Sequence, residues 1–134
     1  MSFKIPLQGD SAKILVIDDE PEVLELVSEF LKREGYDVMT EASSTKGIEK
    51  AKSFHPDLIL LDIIMPKLDG YEVCKLLKKN ESTKNIPVIF LTGKDVSEDH
   101  HKSFQVGGDM FIKKPFSRES LTRIVKLVLE TLYM

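Results

Sequence analysis

Cysteine is almost missing from this chain: Cys74 is the only one in 134 residues. A single thiol excludes an internal disulfide and a multi-cysteine metal site, and it fits a reducing compartment. Charge of one sign is not in excess either, since 19 Lys and Arg face 22 Asp and Glu for a net −3. That balance removes any global electrostatic reason to expect direct nucleic-acid binding. Long apolar runs are lacking too, and the longest fall far short of the roughly 20 residues of a membrane span. The start, MSFKIPLQGDSAK, has no sustained apolar core of the kind a secretory signal needs. Residues 1–12 are expected to form a short leader and residues 13–134 one domain, in a soluble cytoplasmic protein. A domain of this size buries roughly two-thirds of its unfolded surface and needs no disulfide staple.

What the chain does contain is a set of short apolar runs, each followed by a polar residue. Ile14-Leu15-Val16-Ile17 precedes Asp18 and Asp19, and Leu58-Ile59-Leu60-Leu61 precedes Asp62. Val88-Ile89-Phe90-Leu91 precedes Thr92, and a weaker run, Met110-Phe111-Ile112, leads to Lys114. Continuous apolar runs separated by helical patterns read as parallel strands covered on both faces. In such sheets ligands bind in the crevice at the carboxyl ends of the strands. Three carboxylates, a hydroxyl and an ammonium should therefore converge there. Like charges a few ångströms apart raise one another's pKa, so three carboxylates at neutral pH call for a divalent cation beside Lys114. The chemistry this points to is phosphoryl transfer.

Between the runs, the pattern predicts five βα units. Pro21 suits the first turn of a helix that carries Val23, Leu24, Leu26, Val27, Phe30 and Leu31 inward and ends at Gly35. Residues 36–40 read as a second strand, and Ser43 or Ser44 as the cap of a helix running to about Phe54. Strand three spans 57–61, and a helix over 71–79 has Val73, Leu76 and Leu77 inward. A polar helix is expected over 97–106, ended by Gly107-Gly108, with a last strand over 109–113. Ser117 then caps a final helix with Leu121, Ile124, Val125, Val128, Leu129 and Leu132 on one face. The expected fold is α/β: a doubly wound, five-stranded parallel sheet in a flavodoxin-like sandwich.

Four stretches together, VIDDEP (16–21), LILLDIIMPKLDGYEV (58–73), PVIFLTG (87–93) and GGDMFIKKPF (107–116), resemble the CheY-like receiver domain of two-component response regulators. The resemblance covers the chain from about Lys13 to the end of the last helix. It implies that Asp62 accepts a phosphoryl group from a histidine kinase or phosphotransfer protein, and that Thr92 and Lys114 bind the phosphoryl oxygens. Asp19, Asp62 and the backbone carbonyl of Ile64 would ligate Mg²⁺, with Asp18 holding a metal-bound water and Mn²⁺ able to substitute. Mg²⁺ prefers octahedral oxygen ligands and keeps several waters, in keeping with such a donor set. Thr92 and Phe111 would form the switch, Thr92 moving inward and Phe111 filling the space it leaves. Swinging a two-state equilibrium from 1:99 to 99:1 takes about 5.5 kcal/mol of differential stabilisation. The readout surface would be the helix over 97–106, the last strand and the final helix. Implied partners are an upstream kinase and a downstream effector protein or output domain, for a monomer or a phosphorylation-dependent dimer.

Some positions depart from the pattern. Phe111 lacks the hydroxyl of the tyrosine common there, and Gly108 replaces a more usual alanine. Ile64 offers an attacking water no polar group, which favours a long-lived phosphoform; Lys94 is expected to face solvent. His100 and His101 are adjacent and, on a helix, would not face the same way; Cys74 is expected to be a buried filler. A Mg²⁺-dependent phosphatase with an aspartyl nucleophile would place its acids two apart after the first strand, unlike Asp18-Asp19. A flavin site would need a small-residue phosphate cradle where this chain has acids. The chain is expected to be a signalling module and not an enzyme on other substrates. A stand-alone regulator, which Met1 and the length favour, and a receiver cut from a longer protein both remain open.

Overall fold

The computed structural model describes residues 11–93, 107–108 and 110–133. Five strands form one sheet: β1 (Lys13–Ile17), β2 (Asp37–Glu41), β3 (Leu58–Asp62), β4 (Val88–Thr92) and β5 (Met110–Lys113). All pairings are parallel and the spatial order is β2-β1-β3-β4-β5. Four helices are described: α1 (Pro21–Arg33), α2 (Ser44–Phe54), α3 (Gly70–Lys79) and α4 (Arg118–Tyr133). The predicted helix over 97–106, with Lys94, His100 and His101, lies outside the described residues.

The period-two alternation of strand side chains divides the core in two. Ile14, Val16, Leu58, Leu60, Ile89 and Leu91 face one way, against Val27 and Leu31 of α1 and Leu121, Val125 and Leu129 of α4. Leu15, Ile17, Ile59, Leu61, Val88 and Phe90 face the other way, against Ala51 of α2 and Val73, Cys74 and Leu77 of α3. Both faces of the central strands are thus covered, which is why residues 14–17, 58–61 and 88–91 run apolar without a break. Ala12 is already fully buried, and its carbonyl accepts from the Asp37 N–H at 2.9 Å.

Local chemistry fixes the element ends. Pro21 opens α1, and Gly35, at φ +91°, turns the chain after it. Ser43 caps α2 by accepting from Lys46 N–H, and Asp69 and Glu72 form a reciprocal capping box on α3. Strands β2 and β3 sit one residue later than the pattern predicts, which brings Asp62 inside the ladder. Two expected core residues are turned out: Leu26 is 42% exposed and Leu76 45% exposed. Each has apolar neighbours at helical spacing but stands on the flank of its helix. The Lys114-Pro115 peptide is cis.

Candidate functional site

Running from β1 through β2 to β3, the chain reverses its direction of travel across the sheet, so the topological switch falls between β1 and β3. Splayed connections open a crevice there, at the carboxyl end of the strands. Asp18 immediately follows β1 and Asp62 ends β3, so one acid stands on each lip. Both are buried, Asp18 at 0% and Asp62 at 4% exposure. The Asp18 N–H donates to Glu41 O at 3.1 Å, extending the ladder by one residue.

Lys114, just beyond β5, reaches back across the strand ends. Its Nζ lies 2.9 Å from Asp18 Oδ2, 2.9 Å from Glu20 Oε1 and 3.3 Å from Asp62 Oδ1. The Lys114 backbone N–H donates to Thr92 O at 2.7 Å, which seats the lysine directly beside the end of β4. Asp18 Oδ1 accepts from the Glu20 N–H at 2.9 Å, while Oδ2 makes an ion pair without hydrogen-bonding geometry. On the floor of the crevice, Gly70 N–H donates to Ile63 O at 2.7 Å. A Cβ at Gly70 would fall 2.2 Å from the Asp62 carbonyl oxygen, so only glycine allows α3 to start this close to β3.

The charges in this crevice are unevenly matched. Burial, then the neighbouring Asp18, push Asp62 from 3.8 to about 7 against the opposing pull of Lys114; a side-chain hydrogen bond with Asp19 pushes the same way. Burial also raises Asp18, in spite of the Glu20 N–H and Lys114. Burial works against the ammonium of Lys114, but the close carboxylates of Asp18 and Glu20 overcome it and hold the group above the ordinary lysine range.

Of the residues expected to converge, Asp18, Asp62 and Lys114 meet directly, and Asp19 joins them through Asp62. Thr92 is 1% exposed at the end of β4, tied to Lys114 through the backbone. Phe111 lies opposite Phe90 in the β4–β5 register, with ring centroids 5.8 Å apart. Phe90 in turn meets Tyr71 edge-on at 5.2 Å. Ile64 is 59% exposed, so its apolar side chain stands in solvent two residues past Asp62.

Glu20 is the site residue that sequence reasoning passed over. Its signal was an acid directly after Asp18-Asp19 and before a helix-opening proline. Among the described residues, Asp18, Glu20 and Asp62 each offer an oxygen within 4.8 Å of the others. Three hard oxygen donors against one ammonium leave an uncompensated negative site, which fits a divalent cation of the Mg²⁺ type. The buried Asp18 Oδ2, without a hydrogen-bond partner, agrees with that fit.

A doubly wound parallel sheet with an acidic crevice and a bridging lysine at its switch point defines a CheY-like α/β signalling module. The chain belongs to the response regulator receiver domain family, whose sequence profile matches residues 14–126, and its role is in two-component phosphorelay signalling. It is 40% identical over 119 residues to Protein PilG of Pseudomonas aeruginosa, covering 89% of this chain and 88% of that protein. Chemotaxis protein CheY4 of Vibrio cholerae superposes with a TM-score of 0.84 at 31% identity, over 87% of this chain and 98% of that one. The receiver domain of sensor histidine kinase PA1611 of P. aeruginosa, at 28% identity and TM-score 0.81 over 89% and 98%, holds a magnesium ion in its active-site cleft. The chain spans about half the length of several transcriptional regulators that it also matches. No helix among the described residues is long and apolar enough to cross a membrane.

Proposed function

We propose that Asp62 is the phosphoacceptor, and that its phosphorylation switches residues 13–134 between two states read by a partner. The observation that carries this reading is the Lys114 ammonium held between Asp18 and Asp62, 2.9 and 3.3 Å from their oxygens, at the switch point of the sheet. An Asp62 oxygen attacks the phosphorus of a phosphohistidine, the P–N bond breaks, and the histidine nitrogen keeps the electron pair and is protonated. Lys114 and Thr92 then donate to the phosphoryl oxygens. Asp18, Asp19, Asp62 and the Ile64 carbonyl are the groups that would hold Mg²⁺ or its substitute Mn²⁺, which when bound spreads the charge of the transferring group. The rest is positioning, since no dedicated general base stands in the crevice among the described residues.

The switch in this reading couples Thr92 to Phe111. Phe111 is partly buried against the core face that holds Phe90, so a change at the end of β4 reaches an aromatic ring one strand away. Exposed, apolar Ile64 supports a phosphoform of long lifetime. Upstream the partner is a histidine kinase or phosphotransfer protein; downstream it is an effector or output domain, for a cytoplasmic monomer or a phosphorylation-dependent dimer. Direct nucleic-acid binding forms no part of this reading.

Intact-protein mass after incubation with acetyl phosphate tests it. A single phosphoryl adduct that requires Mg²⁺ and is absent from Asp62→Asn is the expected result. A folded wild-type protein that stays unmodified at saturating donor and Mg²⁺ would overturn the assignment.

A further inference from the structure

A lysine ammonium has three N–H donors, and three carboxylate oxygens surround that of Lys114. They are not equivalent. The side chains of Asp18 and Asp62 are 0% and 6% exposed, whereas that of Glu20 is 53% exposed. Glu20 occupies the N-cap position of α1, yet its side chain accepts no cap hydrogen bond. Instead its Oε1 takes a hydrogen bond from Lys114 Nζ at 2.9 Å, across 94 residues of sequence. Asp18 holds this arrangement from below, because its Oδ1 accepts from the Glu20 N–H while its Oδ2 faces the same ammonium.

A phosphoryl group on Asp62 brings three acceptor oxygens and about two negative charges. Lys114 already faces three carboxylate oxygens, those of Glu20 and Asp62 through hydrogen bonds and Asp18 Oδ2 as an ion pair, so the incoming group must displace one of them. Removing Asp18 from the ammonium would strand a buried carboxylate, which is costly. Releasing Glu20 leaves an acid that water can solvate at once, and exposed ion pairs are weak and readily exchanged. We propose that Glu20 is a resident stand-in for the phosphoryl group, holding the outermost donor of Lys114 in the unphosphorylated protein and yielding it when Asp62 is charged. It is a positioning residue that acts through Lys114, and the inference rests on the phosphoacceptor reading above. Two effects follow from the placement. The carboxylate repels an anionic phosphodonor on its way into the crevice, and it must be displaced before the ammonium can meet the incoming group. Glu20 therefore slows adventitious phosphorylation by small anionic donors.

A competing role is available from the same geometry, since Glu20 lies close enough to Asp18 and Asp62 to join them around a cation. The two roles predict opposite outcomes for Glu20→Gln, which keeps the shape and removes the charge. If Glu20 is the stand-in, acetyl phosphate modifies E20Q about three- to ten-fold faster than wild type at saturating Mg²⁺ and low ionic strength. The gain falls mainly on the half-saturating donor concentration, and it shrinks in high salt because screening removes the same repulsion from the wild type. Mg²⁺ titration of the unphosphorylated proteins, followed by amide chemical shifts, gives affinities within roughly three-fold of each other, since only one exposed charge is lost. A ligand role instead predicts slower modification and Mg²⁺ affinity weaker by about ten-fold or more, and that result overturns the proposal. Equal, salt-independent rates on two proteins that both accept the phosphoryl group overturn it as well, and leave the phosphoacceptor reading intact. No adduct on either protein overturns the phosphoacceptor reading, and the proposal with it.

Discussion

Asp62 is protonated in the folded, metal-free protein at pH values where the same residue in an unfolded chain has long been ionised. Its folded pKa of about 7 against 3.8 means that the native state holds an extra proton between those two values. Stability therefore falls as pH rises from about 4 to about 7, and levels off above 7, where Asp62 is ionised in both states. With one pKa unit worth about 1.4 kcal/mol, and partial solvation of the crevice, the effect should be on the order of 1–3 kcal/mol. Urea unfolding in chelator across this pH range would measure it. Asp62→Asn should unfold at higher denaturant than wild type at pH 8 and lose most of the slope; a mutant as pH-sensitive as wild type would refute the attribution. Gly70→Ala belongs to the same scale. A methyl 2.2 Å from the Asp62 carbonyl oxygen has no room, and the clash is with backbone, so destabilisation of about 2–4 kcal/mol is expected in thermal melts. Gly47→Ala is a useful contrast, since the nearest atoms its Cβ would meet belong to the Ile17 side chain, at 2.7 to 3.1 Å, and not to backbone; it should cost less.

At the scale of elements, the capping box on α3 is a local device with a functional address. Asp69 accepts from Glu72 N–H at 2.9 Å, and Glu72 accepts from Asp69 N–H at 3.0 Å. Asp69→Ala should destabilise the fold by about 1 kcal/mol, read as a lower urea midpoint with an unchanged slope. The central strands were the most legible because they are buried on both faces, which leaves a continuous apolar run and a sharp polar end. Asp18, Asp62, Thr92 and Lys114 could be picked out on that ground alone. The helices were less legible at their flanks. Apolar residues at helical spacing define a stripe but not its edge, so Leu26 and Leu76 looked internal until neighbouring elements fixed how far each stripe is covered. Glu20 was hidden for a different reason. An acid before Pro21 reads as an ordinary helix start, and only the return of the chain 94 residues later brings Lys114 onto it.

For the molecule as a whole, the two core faces meet at a sheet whose central strands carry no exposed side chain. A cavity there has nowhere to collapse, so Leu60→Ala is expected to cost about 2–5 kcal/mol. The acidic end of the sheet opposes this stability, and a bound divalent cation should relieve it. Mg²⁺ at 100 times its dissociation constant would add about 2.7 kcal/mol, visible as a higher melting temperature that chelator reverses. Asp62→Asn should respond far less, and an equal response would argue that the ion binds elsewhere.

The absence of a side chain at Gly70 has a mechanical meaning. With α3 hydrogen-bonded to Ile63 O and lying against the Asp62 carbonyl, no soft layer separates acceptor strand from helix. The two form a single rigid anvil under Asp62. On the reading proposed above, a charge added to Asp62 finds no slack on this side, which leaves β4, β5 and the rings of Phe90 and Phe111 as the direction in which the structure can give.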